Sequence, residues 1–234
     1  MNRSKVIVHM YVSIDGKIDG KYMEEDGCNA SGEFYDEEIF KMSKVNVNGA
    51  TTASMYAATG SVNLDNYSEE GIEYEDWTGD VQSETWSVVF DRKGRCIWDK
   101  NYFDYANKKS RAIEVVTEKA PKKYLSFLRS KEIPYIIAGK EEMDIPLALE
   151  KLKKLFGLDT ISLCGGAIIN GAFLEADCVD EISLVVAPYV DGGKENKQFM
   201  ETSKFVNTNF HFKHANPLED GGVQLVFERE EING

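Results

Sequence analysis

The chain has 234 residues, in which 40 Asp and Glu residues outnumber 27 Lys and Arg residues, for a net charge of −13 at pH 7. This length suffices for one large domain or two small ones with a substantial core. The acidic balance argues against nucleic acid or an anionic membrane surface as the main partner, because both carry negative phosphates. The sequence contains no apolar run near the ~20 residues of a membrane-spanning helix, and its first residues lack the pattern of a signal peptide.

Cysteine and histidine positions bear on redox state and metal binding. The cysteines show no C-x-x-C pair, and no histidine stands at metal-ligand spacing from them. The residues concerned are Cys28, Cys96, Cys164, Cys178, His9, His211 and His214. We therefore expect a reduced, cytoplasmic protein that binds no metal.

Strand and helix signals alternate through the first two thirds of the chain. The near-continuous apolar run at residues 6–12 predicts a central strand covered on both faces. Further strands are predicted at residues 45–47, 86–90, 112–117, 134–138 and 160–163. Helices are predicted at residues 33–44, from 49–52 onward, at 121–131, from 144 to 157, and directly after Gly166.

The pattern changes towards the C terminus, where strands follow each other without helices. They are predicted at residues 179–190, 205–213 and 223–228. The fold class is therefore α/β, with a mostly parallel central sheet flanked by helices and antiparallel C-terminal strands. No Pro/Gly/Ser linker or internal repeat divides the chain, so we predict a single domain over residues 1–234.

An acidic segment without clear periodicity occupies residues 58–84, and no Lys or Arg occurs between Lys44 and Arg92. We predict that it is a loop insertion. A run of charges is typical of a solvated surface loop. A long loop can also be a lid that closes over a substrate, and the aromatic side chains of Tyr67, Tyr74 and Trp77 would suit that role.

The most distinctive motif is Gly165-Gly166, which follows the apolar run at residues 160–163 and directly precedes a helical pattern. Glycines let the backbone approach a ligand closely, since they have no Cβ atom. The helix after them would direct unpaired N–H groups and its positive dipole end towards an anion such as a pyrophosphate. A glycine pair also occurs at plain strand–helix turns, so the motif alone leaves both interpretations open.

Three motifs in this order resemble the reductase domain of bacterial riboflavin biosynthesis. They are residues 13–18 (Ser-Ile-Asp-Gly-Lys-Ile), the Gly165-Gly166 turn, and residues 179–192 with their Val-Asp-Glu-Ile and Ala-Pro elements. The resemblance covers essentially the whole chain but is poor at residues 53–85. It implies the dihydrofolate-reductase fold and an enzyme that uses NADPH to reduce the ribosyl group of a phosphorylated aminopyrimidine, as 5-amino-6-(5-phosphoribosylamino)uracil reductase does. It also implies a homodimer, which we expect to form through residues 179–190.

The resemblance implies a cofactor site at strand ends and helix starts, where open α/β sheets bind ligands. Its expected members are Val12, Thr51, Thr52, Asp91, Arg92, Thr117, Gly165, Gly166, Ala167 and Ile168. Arg92 or Arg95 would pair with a 2′-phosphate through the planar guanidinium group, and Thr117 would border the adenosine. Each also has an explanation without a ligand: Thr52 as a helix cap, Asp91-Arg92 as a turn, and Thr117 as a surface residue.

The substrate side of the resemblance rests on the first turn. Lys17 stands where the family's Ser-x-Asp-Gly-Lys lysine contacts the substrate, and its ammonium group could polarise a ribosyl oxygen or bind a phosphate. A solvated turn lysine is the alternative. Ser13 and Asp15 complete this side, with Asp15 better suited to stabilising the turn than to donating a proton. The hydride chemistry belongs to the cofactor, so no catalytic triad is required.

Two departures from the family pattern concern the substrate. Cys164 stands where riboflavin members carry Glu directly before the glycine pair, and a thiol cannot accept the same hydrogen bonds. Residues 53–56 (Ala-Ser-Met-Tyr) lack the family's Asp-Asp-Pro signature. An NADPH-dependent reductase acting on a pyrimidine- or pteridine-type heterocycle is therefore the main hypothesis. A dihydrofolate reductase, or a nucleotide-binding module without turnover, remain alternatives.

Overall fold

The structure is a computed structural model that describes residues 2–230; Met1 and residues 231–234 lie outside the described residues. The strands are β1 (Lys5–Val12), β2 (Val45–Gly49), β3 (Trp86–Phe90), β4 (Tyr102–Tyr105), β5 (Lys108–Val116), β6 (Tyr135–Ile137), β7 (Thr160–Leu163), β8 (Glu181–Val186), β9 (Phe210–Pro217) and β10 (Val223–Arg229). The α-helices are α1 (Asn29–Met42), α2 (Ala50–Tyr56), α3 (Lys122–Ser130), α4 (Ile145–Phe156) and α5 (Ala167–Glu175).

The described residues form two compact units. Unit 1 contains residues 2–4 and 44–159, and unit 2 contains residues 5–43 and 160–230. The single domain over residues 1–234 stays a prediction, and its ends at Met1 and residues 231–234 fall outside the described residues.

In unit 1, β2, β3, β5 and β6 run parallel, and β4 pairs antiparallel with β5. All of β3 is buried, as expected for an apolar strand covered on both faces. Large aromatic side chains fill the core beside the strands, among them Trp98, Tyr124, Phe127 and Tyr135.

In unit 2, β1 runs parallel to both β7 and β8, while β10 pairs antiparallel with β8 and β9. Every residue of β1 after Lys5 is buried. The predicted α/β class is thus confirmed, with mostly parallel strands followed by antiparallel strands at the C terminus. Among the described residues, no helix combines the length and apolarity needed to cross a bilayer.

The predicted elements agree with the observed ones where terminal signals are clear. Asp144 caps α4 by accepting a hydrogen bond from the Leu147 N–H at 3.0 Å, and Gly157 ends the helix in the left-handed conformation with φ of 68°. Other boundaries were wrong. α1 begins at Asn29 and not at residue 33, and β9 begins at Phe210 and not at residue 205.

Strand β4 was missed altogether. It is joined to β5 by a tight turn in which Ala106 and Asn107 have φ of 48° and 58°. Hairpin turns of this kind usually contain glycine, because positive φ is unfavourable for side chains with a Cβ. The Ala-Asn pair therefore carried no clear turn signal, and β5 starts at Lys108, four residues before its predicted start at 112.

The acidic segment at residues 58–84 is attached to unit 1 by specific contacts. Trp77 pairs with Tyr135 through two backbone hydrogen bonds of 2.9 Å. Asp76 Oδ1 accepts hydrogen bonds from the Ile137 N–H at 2.8 Å and from Lys151 Nζ at 2.9 Å. Asp76 and Trp77 are therefore attached to β6 and do not belong to a freely solvated loop, while the loop insertion at residues 58–84 stays a prediction.

His9 is a buried part of the unit 2 core. Its ring stacks on Tyr35 with 4.7 Å between centroids, Nε2 lies 3.1 Å from the Tyr35 carbonyl oxygen, and Nδ1 lies 3.0 Å from Ser183 Oγ. Burial lowers the pKa of His9 to about 4, so the ring is neutral at pH 7. Gln224 Nε2 also donates to Ser183 Oγ at 3.0 Å, which links β1, β8 and β10 in one polar network.

Helix α5 packs closely against the chain segment that contains Glu201. A Cβ atom on Gly171 would lie 1.6 Å from the Glu201 carbonyl oxygen. We predict that Gly171→Ala lowers the free energy of unfolding by about 3 kcal/mol, because the helix and this segment must separate. Urea denaturation measures the change. The matched control is Gly32→Ala in α1, where a Cβ meets nothing within 4 Å and where stability should be kept or increased. Equal stabilities for the two variants would contradict the packing.

Candidate functional site

The glycine turn in unit 2 connects β7 to α5. Gly165 has φ of +92°, and a Cβ there would lie 3.0 Å from the Sδ and Cε atoms of Met10. The peptide bond between Gly165 and Gly166 is cis. Gly166 is the N-cap of α5, and no side chain caps this helix end. Ala167 is buried and Ile168 is exposed. The first turn of α5 thus has the chemistry expected of an anion site: backbone N–H groups without a side-chain acceptor.

The first turn after β1 is organised by Asp15. Ser13 Oγ donates to Asp15 Oδ1 at 2.7 Å, and the carboxylate also accepts from the N–H groups of Asp191 at 2.9 Å and Gly192 at 3.0 Å. These hydrogen bonds, with that of Ser13 the strongest, lower the pKa of Asp15 to about 2. Asp15 is therefore ionised at neutral pH and stabilises this turn.

Lys17 lies at the end of the same turn. Its Nζ donates to the Asn196 carbonyl oxygen at 2.7 Å, and its backbone N–H donates to Ser13 Oγ at 3.0 Å. Tyr22 donates from its hydroxyl to the Lys17 carbonyl at 2.9 Å. The Lys17 ammonium is thus attached to the chain segment around residue 196, and is not a freely solvated turn lysine.

Val12 and Cys164 are the remaining predicted residues of unit 2. Val12 ends β1 and is buried in register with Val186 of β8. Cys164 is half-buried, and its thiol donates weakly to the Ser162 carbonyl oxygen at 3.5 Å.

In unit 1, Asp91 and Thr117 are fully buried. Asp91 Oδ2 accepts hydrogen bonds from the backbone N–H groups of Arg95 and Cys96. Thr117 Oγ1 donates to the Arg92 carbonyl oxygen at 2.8 Å, so the alternative that Thr117 is a surface residue is wrong. Thr117 thus ties the end of β5 to the turn after β3, and Asp91 closes that turn on itself. Lys93 and Arg95 of this turn are exposed, and Arg92 is half-buried.

Arg92 forms an ion pair with the exposed Glu142.

Thr51 and Thr52 lie in the first turn of α2, whose N-cap is Gly49 without a side-chain cap. Thr52 is therefore not the cap of this helix, which overturns the alternative explanation of its position.

The predicted site residues divide between the two units. Unit 2 holds Val12, Ser13, Asp15, Lys17, Cys164, Gly165, Gly166, Ala167 and Ile168. Unit 1 holds Thr51, Thr52, Asp91, Arg92 and Thr117. Hydrogen bonds join Ser13, Asp15 and Lys17 in unit 2, and join Thr117 to Arg92 in unit 1. The predicted cofactor and substrate roles of all these residues stay predictions.

Sequence reasoning missed a buried polar cluster around Asp91. Trp98 Nε1 donates to Glu114 Oε1 at 2.5 Å, and the Tyr124 hydroxyl donates to the Cys96 carbonyl at 2.8 Å. One signal was present, because Glu114 is the single charged residue of the apolar strand pattern at residues 112–116. A charge at such a position indicates a buried partner.

Comparison with known proteins gives a family match across most of the chain. A model of the family described as the RibD C-terminal domain matches residues 4–223. A protein of Methanothermobacter thermautotrophicus named 2,5-diamino-6-ribosylamino-4(3H)-pyrimidinone 5′-phosphate reductase is 29% identical over 100 residues, 43% of this chain and 45% of that protein. A protein of the same name from Aquifex aeolicus is 30% identical over 128 residues, 54% and 56% of the two chains. The matched region thus spans about half the length of these relatives.

Solved structures share the fold over nearly the whole chain. A pyrimidine reductase-like protein from Corynebacterium diphtheriae has a TM-score of 0.70 at 14% identity, covering 98% of this chain and 93% of that one. The riboflavin biosynthesis reductase of Saccharomyces cerevisiae has a TM-score of 0.62 at 13% identity, covering 98% and 91%. At such identities the likeness concerns the fold alone.

Proposed function

Because the family model matches residues 4–223, this chain belongs to the family of the RibD C-terminal domain, and we propose that it is a reductase of riboflavin biosynthesis. The proposed reaction is hydride transfer from NADPH to the ribosyl group of a phosphorylated aminopyrimidine. The observation that carries the proposal is the extent of the family match, supported by two relatives named as pyrimidinone 5′-phosphate reductases. The curated alignments cover only about half of each relative, so substrate identity is part of the proposal.

The first turn of α5 fits a dinucleotide. Gly166 leaves its N–H groups without a side-chain cap, and an anionic pyrophosphate would be stabilised there by hydrogen bonds and by the helix dipole. NADPH, when bound, would supply the hydride. Within unit 1 considered by itself, the guanidinium groups of Arg92 and Arg95 have the planar geometry that suits a phosphate group.

The substrate is assigned to the turn after β1. Lys17 carries the cation, and its ammonium group retains two N–H donors beyond the one given to the Asn196 carbonyl. We assign to the Lys17 ammonium group the binding of the substrate's phosphate or of a ribosyl oxygen. Asp15 supports this turn by its backbone hydrogen bonds. Cys164 would border the substrate as a small thiol, which allows a larger or less polar group than the family's glutamate.

The proposed activity predicts oxidation of NADPH in the presence of a ribosylaminopyrimidine phosphate, measured by the loss of nicotinamide absorbance. Dihydrofolate should give no oxidation, which separates this reductase from a dihydrofolate reductase. Lys17→Met should lower kcat/KM by about tenfold or more, because a charge-assisted hydrogen bond to the substrate is lost. NADPH binding without turnover of any tested substrate would instead identify a nucleotide-binding module.

The assignment of the pyrophosphate to α5 predicts a charge effect at its N-cap. Gly166→Asp should weaken NADPH binding by about tenfold or more, because a carboxylate repels the pyrophosphate at short range. Gly166→Asn is the matched control, because Asn is of equal size and caps helices equally well but carries no charge. Calorimetric titration with NADPH measures both affinities. Equal affinities for the Asp and Asn variants would remove α5 from the cofactor site.

We further propose a homodimer that includes the β8 to β10 region of unit 2. β9 is an edge strand, and its residues after Phe210 are all exposed, including Phe212 at 61%. Long exposed edge strands readily pair with another chain. Light scattering at micromolar concentration should give a dimeric mass, reduced to the monomer in Phe212→Asp. The control is Phe205→Asp, at an exposed phenylalanine outside the strand. A monomeric unmodified protein would contradict this proposal.

A further inference from the structure

Two carboxyl groups are buried together in unit 1. Glu114 lies in β5, in register with Val89 of β3, and Asp91 directly follows β3. Neither residue has any exposed surface. One oxygen of each carboxyl group and the Sγ atom of Cys96 lie within 4.8 Å of one another. The two carboxyl groups therefore share one enclosed space.

Each carboxyl group has one satisfied and one unsatisfied oxygen. Glu114 Oε1 accepts the Trp98 Nε1–H at 2.5 Å, and Asp91 Oδ2 accepts the backbone N–H of Cys96 at 2.7 Å, as well as that of Arg95. Within residues 2–230, Glu114 Oε2 and Asp91 Oδ1 have no partner that meets hydrogen-bond geometry. The Tyr124 hydroxyl also acts on the Glu114 carboxyl group, but it donates its hydrogen to the Cys96 carbonyl oxygen at 2.8 Å. Arg95 Nε lies 3.6 Å from Asp91 Oδ1, outside hydrogen-bond range, and its side chain is 63% exposed.

One proton between the two carboxyl groups would give both of these oxygens a partner. Burial raises the pKa of Glu114 well above its usual range, and the nearby Asp91 carboxylate raises it further. The Cys96 thiol and the Tyr124 phenol, which also face this space, are neutral at pH 7, because burial raises their pKa values. Neutral Glu114 carries one O–H donor, and an oxygen of the Asp91 carboxyl group can accept a hydrogen bond.

We propose that Glu114 is a positioning residue, a neutral carboxylic acid that donates a hydrogen bond from Oε2 to Asp91 Oδ1. Asp91 in turn accepts the N–H groups of residues 95 and 96, so the shared proton holds the turn at residues 91–96 in place. This turn presents Arg92 and Arg95. The shared proton is independent of the proposed function, whereas the positioning of these arginines for a 2′-phosphate rests on it.

The turn itself shows why its conformation depends on the buried cluster. Gly94 has φ of +67°, and a Cβ there would lie 2.5 Å from the Tyr124 ring. The Gly94 N–H donates to the Asp91 carbonyl oxygen at 3.2 Å. The turn is thus packed directly on Tyr124, which also borders the buried cluster. An unpaired charge on Asp91 would disturb both the turn and the packing of Tyr124.

Infrared spectroscopy tests the shared proton in the intact protein. The unmodified protein at pH 7 should show a protonated carboxylic acid band that shifts in D2O and that is absent in Glu114→Gln. The control Glu150→Gln, at an exposed position of α4, should keep the band. The absence of a protonated band at pH 7 would overturn the proposal. A stoichiometric divalent metal, detected by elemental analysis and lost in Glu114→Gln, would also overturn it, since a cation would then occupy the space.

Stability gives a second readout of the same proton. The folded chain keeps a proton on Glu114 that the unfolded chain releases above the usual carboxyl pKa, so stability is full below that value and declines as the pH rises towards the raised pKa. In this window the unfolding constant of the unmodified protein, divided by that of Glu114→Gln, should rise about tenfold per pH unit. A ratio independent of pH would overturn the proposal. The contribution of His9 cancels, because both proteins contain it.

NADPH affinity tests the positioning role. Glu114→Gln can donate to Asp91 and accept from Trp98, so its affinity at pH 7 should stay within about twofold of the unmodified protein. Glu114→Met can do neither and should raise the Kd and KM for NADPH about fivefold or more, with kcat little changed. Above the pKa of Glu114 the unmodified protein should lose affinity while Glu114→Gln does not. Equal affinities for the Gln and Met variants would overturn the role. A protein that binds no NADPH would refute the proposed function and the positioning role, while the infrared band still decides the shared proton.

Discussion

Buried or tightly turned backbone N–H groups need acceptors, and aspartate side chains supply them at the turns of this protein. Asp15 accepts two such groups from residues 191 and 192, and Asp91 accepts two from residues 95 and 96. Asp220 does the same for Ser31 and Gly222, and Asp180 accepts the Val6 N–H. Unpaired backbone groups in such places would each cost about 1–3 kcal/mol, so these carboxylates hold the turns in single conformations.

The same constraint shapes the proposed site. The turn after β1 is attached to the segment at residues 189–198 through Asp15, Lys17 and backbone hydrogen bonds such as that from Ile14 to Tyr189 at 2.8 Å. In unit 1, the corresponding hydrogen bonds lie within a single turn, because Asp91 accepts the N–H groups of residues 95 and 96. Asp91 is completely buried, so its carboxyl group contacts the turn that it stabilises and not the solvent. This explains how an acidic residue can stand beside arginines proposed to bind a phosphate.

Cys164 stands at a position where the family resemblance predicts a glutamate. The match to the RibD C-terminal domain runs from residue 4 to residue 223, and the glycine turn and α5 are present. The residue directly before that turn is the half-buried Cys164, whose thiol cannot accept the hydrogen bonds that a carboxylate accepts. The proposed cofactor contact relies on backbone N–H groups at the start of α5, which the glycine turn provides. The proposed substrate contact relies on particular side chains, and Cys164 is one of them.

Local signals in the sequence determined the order of most elements, the burial of β1 after Lys5, and the ends of α4. They could do so because hydrophobic periodicity and capping act over a few neighbouring residues. Three motifs in order, around Lys17, at Gly165-Gly166 and at residues 179–192, identified the family. Only the tertiary structure decided that Thr117 is buried, that Asp76 and Trp77 attach to β6, and that Glu114 lies beside Asp91. Such contacts join residues far apart in the chain, and the choice between a solvated charge and a buried one depends on what the folded chain brings beside it.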